Sequence, residues 1–447
     1  MKGFDIQAET SDNAPIIKSR NGLYEFEPEP THILSSALKN NPMSGICFLS
    51  LISLLFHKRK SIDWWRYKHR IIALLFMGIF NSFLAFVEDC YLCYLFCFQK
   101  TRQVVKQATS DSELEESTPV FVLGHPRTGT TLLHSLLAFD EERFAICDTF
   151  MVGFPHCFLW FERLGKFLFA GILSETRPMD NMKLHFDLPQ EDELGTNLLS
   201  GLRVSPYSSL VFMRDEREYR KYQCFLEGQV PDEDIKHWSR CFKMFLRKIR
   251  IRDGLTCLRS GQALPRFRQL LLKSPCHTGR VRLLLKLFPN AKFVFIHRNP
   301  YEVFLSGANM ASTTYGWMHL QQPSDTDLQE YILTQGEILH NEYFSCREDV
   351  LNAKNSVEVS FEDLATDPKG SIRRIYTQFG FDSFNEDAQS PYPTRLDKEC
   401  DELRGYKRNK FKNIALDDKL KETIKDRWHK QFEVLGYSKT YPSDRLL

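Results

Sequence analysis

The sequence predicts an α/β protein built on a parallel sheet with flanking helices, preceded by an N-terminal helical segment. Two observations carry this prediction. Short apolar runs rich in β-branched and aromatic residues (VFVL at 120–123, KFVFIH at 292–297, VEVS at 357–360) alternate with stretches of helical period, the pattern of βα units in a parallel sheet. A glycine-containing turn, GHPRTGTT at 124–131, joins the first run to LLHSLLAF, again of helical period.

Along the chain, residues 1–40 are polar without a clear period and read as a mobile tail. Residues 41–100 form an apolar and basic helical segment. GICFLSLISLLF at 45–56 is too short to span a bilayer comfortably, whereas IIALLFMGIFNSFLAFV at 71–87 reaches the lower limit. Between them HKRKSIDWWRYKHR combines cations with two Trp, as at a membrane–water boundary. Membrane association is therefore expected, by a span over 71–97 or by amphipathic helices in the interface. The competing reading packs these helices on the domain that follows. Residues 101–118 read as a linker, so a chain starting near Glu116 is expected to fold alone. The main domain covers 119–440. Within it QLLLK at 269–273 is a further strand, and Val281 to Leu287 has helical period. Asn299-Pro300 opens a helix, and Asp367-Pro368 opens another that Gly380 caps. Residues 145–265 show mainly helical signals and read as an insertion that shapes a pocket.

The 447 residues allow one large domain or two. A net charge of +2 offers no bulk attraction to nucleic acid, which is not expected as a partner. The 12 Cys are scattered and do not form a disulfide framework. Cys90, Cys93 and Cys97 share a helical face but have no His or second CxxC nearby, so a buried or lipid-facing role outweighs metal binding.

Gly124 to Thr131 has the spacing of a phosphate-binding loop between a buried strand and a helix, where backbone N–H groups and the helix N-terminus cradle an anion. Thr130 stands where nucleoside-triphosphate enzymes carry Lys, and no strand ends in an acid placed for Mg²⁺. Both facts argue against ATP or GTP. Arg127 supplies the charge instead.

These residues resemble the sulfotransferase family that uses 3′-phosphoadenosine 5′-phosphosulfate (PAPS). Pro126 to Thr131 match its phosphosulfate loop. Arg298 and, eight residues on, Ser306 match its 3′-phosphate pair. Phe361-Glu362-Asp363-Leu364 with Asp367-Pro368, and Lys273-Ser274-Pro275 with His277, match two further signatures. The likeness covers about 119–440. It implies PAPS as co-substrate, bound by Pro126, Arg127, Thr128, Gly129, Thr130, Thr131, Arg298 and Ser306, with no metal required. Leu132 replaces the Trp common in cytosolic members, and Phe361 replaces a frequent Tyr, which touches adenine recognition. If 71–97 spans, the basic cluster at 57–70 faces the cytoplasm and the catalytic domain a lumen, as in Golgi-type single-pass members; no N-x-[ST] sequon supports this.

Sulfuryl transfer needs alignment, stabilisation of spreading negative charge and a base. Arg127 and Lys273 are the expected cations. His277 is the preferred base, with Glu191 or Glu193 of PQEDE as the alternative; His185 and Asp192 are further candidates. The acceptor group is expected to be a hydroxyl or an amine; the aromatic stretch at 154–169 suits a lipid, sterol or phenol, while a glycan stays open. Two rivals stand beside this reading, a P-loop nucleotide kinase or NTPase and a non-catalytic PAPS or adenosine-bisphosphate binding protein. Preference for ATP with Mg²⁺ would mark the first, absence of turnover the second.

Overall fold

The computed structural model describes residues 16–29, 41–171, 176–177, 180, 182, 184–226, 228–261, 267–384, 390–403 and 414–441. At its centre lies a parallel sheet of five strands: β1 (Val120–Leu123), β2 (Phe144–Ile146), β3 (Gln269–Lys273), β4 (Lys292–His297) and β5 (Ser356–Ser360). Their order is β2-β3-β1-β4-β5. β1 is buried throughout because both its edges are paired; Val122 faces Lys273 on one side and Val294 on the other. The chain leaves β1 for the edge strand β2, returns beside β1 as β3 and crosses to its other side as β4, so a crevice opens at the carboxyl ends of these strands. Four of the strands follow the expected apolar runs. The edge strand β2 was not expected, because three residues in FAICDTF give no readable alternation. The stretch after it, read as an insertion over 145–265, is largely helical.

The helices needed below are α1 (Phe48–His57), α2 (Trp64–Phe96), α3 (Gln99–Thr109), α4 (Thr130–Ala138), α5 (Asp192–Leu199), α6 (Asp232–Arg259), α7 (Pro300–Thr314) and α8 (Asp325–Asp349). α2 has 33 residues, and among the described residues it is the helix that is long and apolar enough to cross a membrane by length and composition. One side of it is nevertheless fastened to the domain. Arg70 donates to the carbonyls of Gly316 at 2.8 Å and His319 at 2.6 Å. Asn81 donates to the carbonyls of Ser44 and Ile46. Glu88 accepts from the Leu159 N–H at 2.8 Å and pairs with Lys248.

Two boundaries differ from the expected ones. Residues 16–29, expected in a mobile tail, pack on the main domain: Ile16–Ile17 pair in parallel with Ile414–Ala415, and the buried Tyr24 ring meets Phe304. Residues 1–15 and 30–40 lie outside the described residues. The stretch read as a linker contains α3, whose Val104, Val105 and Ala108 are buried with residues of α6 in one hydrophobic core. The polar exposed face of α3 dominated its composition and hid this apolar stripe. A Cβ on Gly254 of α6 would come within 2.6 Å of Val104, so the two helices touch closely.

Removing residues 1–115 would therefore strip part of the core. Each large side chain uncovered loses about 1.5–3 kcal/mol of burial. A chain beginning at Glu116 is expected to aggregate, and Val104→Asp in the full chain to lower the melting temperature. A truncated chain that is monomeric and melts at the full-length temperature would contradict the shared core.

Candidate active site

The loop after β1 is built by backbone strain and by one close contact. Arg127 and Gly129 have φ of 77° and 98°, in the left-handed region. For Arg127 that conformation costs about 1–2 kcal/mol. Gly129 tolerates it and also leaves room: a Cβ there would lie 2.5 Å from the Phe361 ring. The Thr128 hydroxyl donates to the His125 carbonyl at 2.8 Å and closes the turn. The Gly124 N–H donates to the Thr278 hydroxyl at 2.8 Å. α4 then starts at Thr130, so its free N–H groups point out of the loop. Burial, reinforced by nearby His340, holds the His125 imidazole down to about 3, so it stays neutral under the loop.

A cleft of about 790 Å³ opens above this loop. Arg127, Gly129, Thr130 and Thr131 line it together with Arg298, just past β4, and Ser306 of α7. Pro126 is not on its wall, and Thr128 is buried in the turn. Arg298 stacks over Phe361 at 4.4 Å, and its Nε donates to Glu302 at 2.8 Å. Arg127 Nε donates to the Ser306 hydroxyl at 3.0 Å, while its Nη1 donates to Asp180 at 2.9 Å. The two groups expected to hold separate phosphates thus meet directly, through Arg127 and Ser306.

A second cluster stands behind Thr131. Lys273, at the end of β3, donates to Glu191 Oε1 at 2.8 Å and reaches the Thr131 hydroxyl at 3.4 Å. The Tyr207 hydroxyl donates to Glu191 Oε2 at 2.5 Å. Arg177 approaches the same Thr131 hydroxyl at 3.4 Å and pairs with Asp180 at 3.2 Å. Burial by itself would raise the Glu191 carboxyl; Lys273 and the Tyr207 hydrogen bond outweigh it and hold the group below its ordinary 4.5. Burial and the Glu191 charge push the Tyr207 phenol well up, which keeps it a donor. Arg177, Asp180 and Tyr207 were missed in the sequence, because their elements show no motif that points to the loop. Among the described residues no three His, Cys, Asp or Glu side chains converge as for a metal ion.

The profile of the sulfotransferase family matches residues 119–386. The chain belongs to the sulfotransferase family. The omega-hydroxy-beta-dihydromenaquinone-9 sulfotransferase Stf3 of Mycobacterium bovis and that of Mycobacterium tuberculosis are each 30% identical over 380 residues, covering 83% of this chain and 86% of theirs. That match is longer than the chain after Thr118, so it includes part of the N-terminal helices. The crystal structure of sulfotransferase STF9 from Mycobacterium avium shares the fold, with a TM-score of 0.51 at 16% identity over 87% of this chain and 96% of that one.

Within this sulfotransferase the preferred base is displaced. His277 is fully buried; its Nε2 lies 2.6 Å from Asp192 Oδ2, and its ring packs on Phe121 and Phe242. It touches no part of the cleft. Glu193 is equally buried: Arg280 binds both its oxygens at 2.7 and 3.1 Å, and Ser205 and Trp238 donate to them as well. His185 is exposed and sits 3.0 Å from Asp187. Of the acids in PQEDE, Glu191 alone keeps an exposed portion, 23% of its side chain.

His277 and Asp192 are thus a structural pair. Burial by itself would raise the Asp192 carboxyl; His277 more than offsets it and holds the group below its ordinary 3.8. Its stabilising contribution is complete above that value and is lost as pH falls through the lowered folded value. His277→Ala leaves the carboxylate buried without its partner and is expected to cost about 3–5 kcal/mol in urea unfolding. A variant with wild-type stability and lost turnover would return a catalytic role to His277.

Proposed function

We propose that this sulfotransferase takes its sulfuryl group from PAPS and passes it to a lipid-like hydroxyl. The observation that carries the proposal is one Thr131 hydroxyl on the cleft wall, flanked by Lys273 and Arg177, with Glu191 at hydrogen-bond distance from Lys273. A cation pair and a carboxylate at one end of an anion-binding loop suit transfer of a charged group to a hydroxyl.

In this reading the N–H groups of the loop and the hydroxyls of Thr130 and Thr131 hold the donor's 5′-phosphate. Arg298 and Ser306 hold the 3′-phosphate, and Phe361 and Leu132 supply apolar contact for the base. Lys273 and Arg177 donate to the oxygens on which charge grows. The acceptor oxygen bonds to sulfur as the bond from sulfur to the phosphate oxygen breaks, and 3′-phosphoadenosine 5′-phosphate leaves with that electron pair. Glu191 takes the hydroxyl proton. Lys273 lowers the basicity of Glu191 while it is bound there, and its transfer to the incoming anion raises that basicity. The lipid-like acceptor is supported by the mycobacterial relatives, whose name specifies a hydroxylated menaquinone.

The N-terminal helices are read as the element that brings the enzyme to the bilayer where such an acceptor dissolves. The Golgi-type single pass has weaker support, because α2 is fastened to the catalytic domain from Arg70 to Glu88.

The donor is tested by thermal shift. 3′-Phosphoadenosine 5′-phosphate is expected to raise the melting temperature clearly more than ADP with Mg²⁺, and Arg298→Ala to remove that difference. Equal shifts with the wild type would favour the nucleotide-kinase reading. The base is tested by Glu191→Gln, expected to lower turnover by about two to four orders of magnitude while nucleotide binding survives.

The pH profile separates a base from a bystander. A Glu191 held below 4.5 puts the acid limb of kcat/KM below that pH, since the ionised form is the active one. Lys273→Met is expected to move the limb upward. An unmoved limb would take the base role away from Glu191.

A further inference from the structure

We propose that α2 lies flat in the surface of a membrane containing anionic lipid, rather than across it, and that a basic cavity beside α1 receives a phospholipid headgroup. This deepens the membrane attachment proposed above and rests on it, but is independent of the sulfuryl-transfer chemistry.

The first observation is the pattern of exposure on α2. Its protein-facing side carries Tyr67, Arg70, Leu74, Asn81, Leu84 and Glu88. The opposite side is also apolar: Trp65, Ile72, Phe76, Ile79, Phe83 and Phe86 are exposed, Phe76 by 70% and Phe83 by 62%. Spacings of seven, four, three, four and three put these on one stripe. Cys90, Cys93 and Cys97 continue it and are exposed too. Leu49, Ile52 and Phe56 of α1 add to it from one neighbouring helix, Phe167 and Leu168 from another. A contiguous exposed apolar stripe of this kind marks an interaction surface.

The second observation is connectivity. The chain before α2 and the chain after it belong to the same body. Gly22 N–H donates to Asp417 at 2.8 Å, Tyr24 N–H donates to Gln329 at 2.8 Å, and Tyr67 donates to Glu29 at 2.8 Å. A helix crossing the bilayer would have to part these contacts and drag Arg70, Asn81 and Glu88 into hydrocarbon. Lying in the interface, α2 keeps all of them and buries only its outer stripe.

The third observation is charge at the rim, which favours lipid over a second copy of the chain. Lys68 stacks over Trp65 at 3.7 Å and Arg59 over Phe56 at 4.6 Å, so cations ride on the exposed aromatics as at a headgroup boundary. Beside α1, a cavity of about 410 Å³ is lined by His57, Lys58, Arg203, Arg217 and Lys221. Lys58 is committed to Asp215 and Glu218. Arg203 and Arg217 form no ion pair among the described residues, and both are exposed. Uncommitted guanidinium groups next to an apolar stripe match a phosphodiester whose acyl chains enter that stripe.

The test uses the full chain with vesicles of phosphatidylcholine, alone or mixed with phosphatidylglycerol. The wild type is expected to float better with the mixed vesicles. Phe76→Glu/Phe83→Glu is expected to abolish flotation on both without changing the melting temperature. Arg203→Glu/Arg217→Glu is expected to weaken flotation only on the mixed vesicles, by about tenfold or more. An N-terminal tag on sealed vesicles should stay open to added protease, on the same side as the catalytic domain. A protected tag would mean a spanning helix and overturn the flat arrangement. Flotation indifferent to the Phe variants, with a dimer in sedimentation, would assign the stripe to a second copy. Flotation indifferent to the Arg pair would remove the headgroup site. A wild type that binds neither vesicle would defeat membrane attachment itself, while leaving turnover of a soluble acceptor unaffected.

Discussion

Three consecutive acids are tied to three basic side chains, and the candidate site depends on that zip. Glu191, Asp192 and Glu193 stand at the start of α5, where neighbouring side chains point about 100° apart. They cannot share a partner. Lys273, His277 and Arg280 follow one another at the end of β3 and in the turn beyond it, and each takes one acid. Buried ion pairs add little net stability, but breaking one strands a charge, so they select one geometry strongly. With Asp192 and Glu193 held inside, Glu191 is the acid that keeps some exposure, and Lys273 links it to Thr131. The helical layer is thereby registered against the sheet edge, and α6 follows, because Trp238 donates to Glu193 and Phe242 packs on His277.

The phosphate loop is held from the other side. Phe361, immediately after β5, lies so close to Gly129 that no side chain fits between them, and the same ring carries Arg298. Arg127 crosses the mouth of the loop to Ser306 of α7. Three strand ends, β1, β4 and β5, therefore meet at one cleft. The strained φ of Arg127 is tolerated because its guanidinium and its carbonyl are both engaged, the carbonyl by Arg298.

The N-terminal helices show why hydropathy alone is ambiguous. α2 is apolar on two opposite faces for different reasons. One face completes the core with Leu74 and Leu84, and it hides three polar groups that find partners in the domain. The other face has no protein partner among the described residues. A window average merges the two and reads as a span. Only the positions of Arg70, Asn81 and Glu88, all on the buried face, distinguish a docked helix from a crossing one.

Four of the five strands, the helices that follow them and the turn with its glycine at 129 were legible in the sequence, because each rests on local periodicity or short spacing; Arg298 and Ser306, eight residues apart, line one cleft. Which acid in PQEDE is available, and that His277 is not, depended on contacts more than 80 residues apart in the chain. No local pattern connects Arg177 to Thr131 or Tyr207 to Glu191 either. α3 was hidden by its charged outer face, and the edge strand by its brevity. The sequence by itself determined the chemistry that can be brought together, since residue types and local spacing dictate which elements form and what their ends carry. Tertiary structure alone decided which charged groups are fully buried in pairs and which stay partly exposed, because burial and pairing are properties of distant segments in contact.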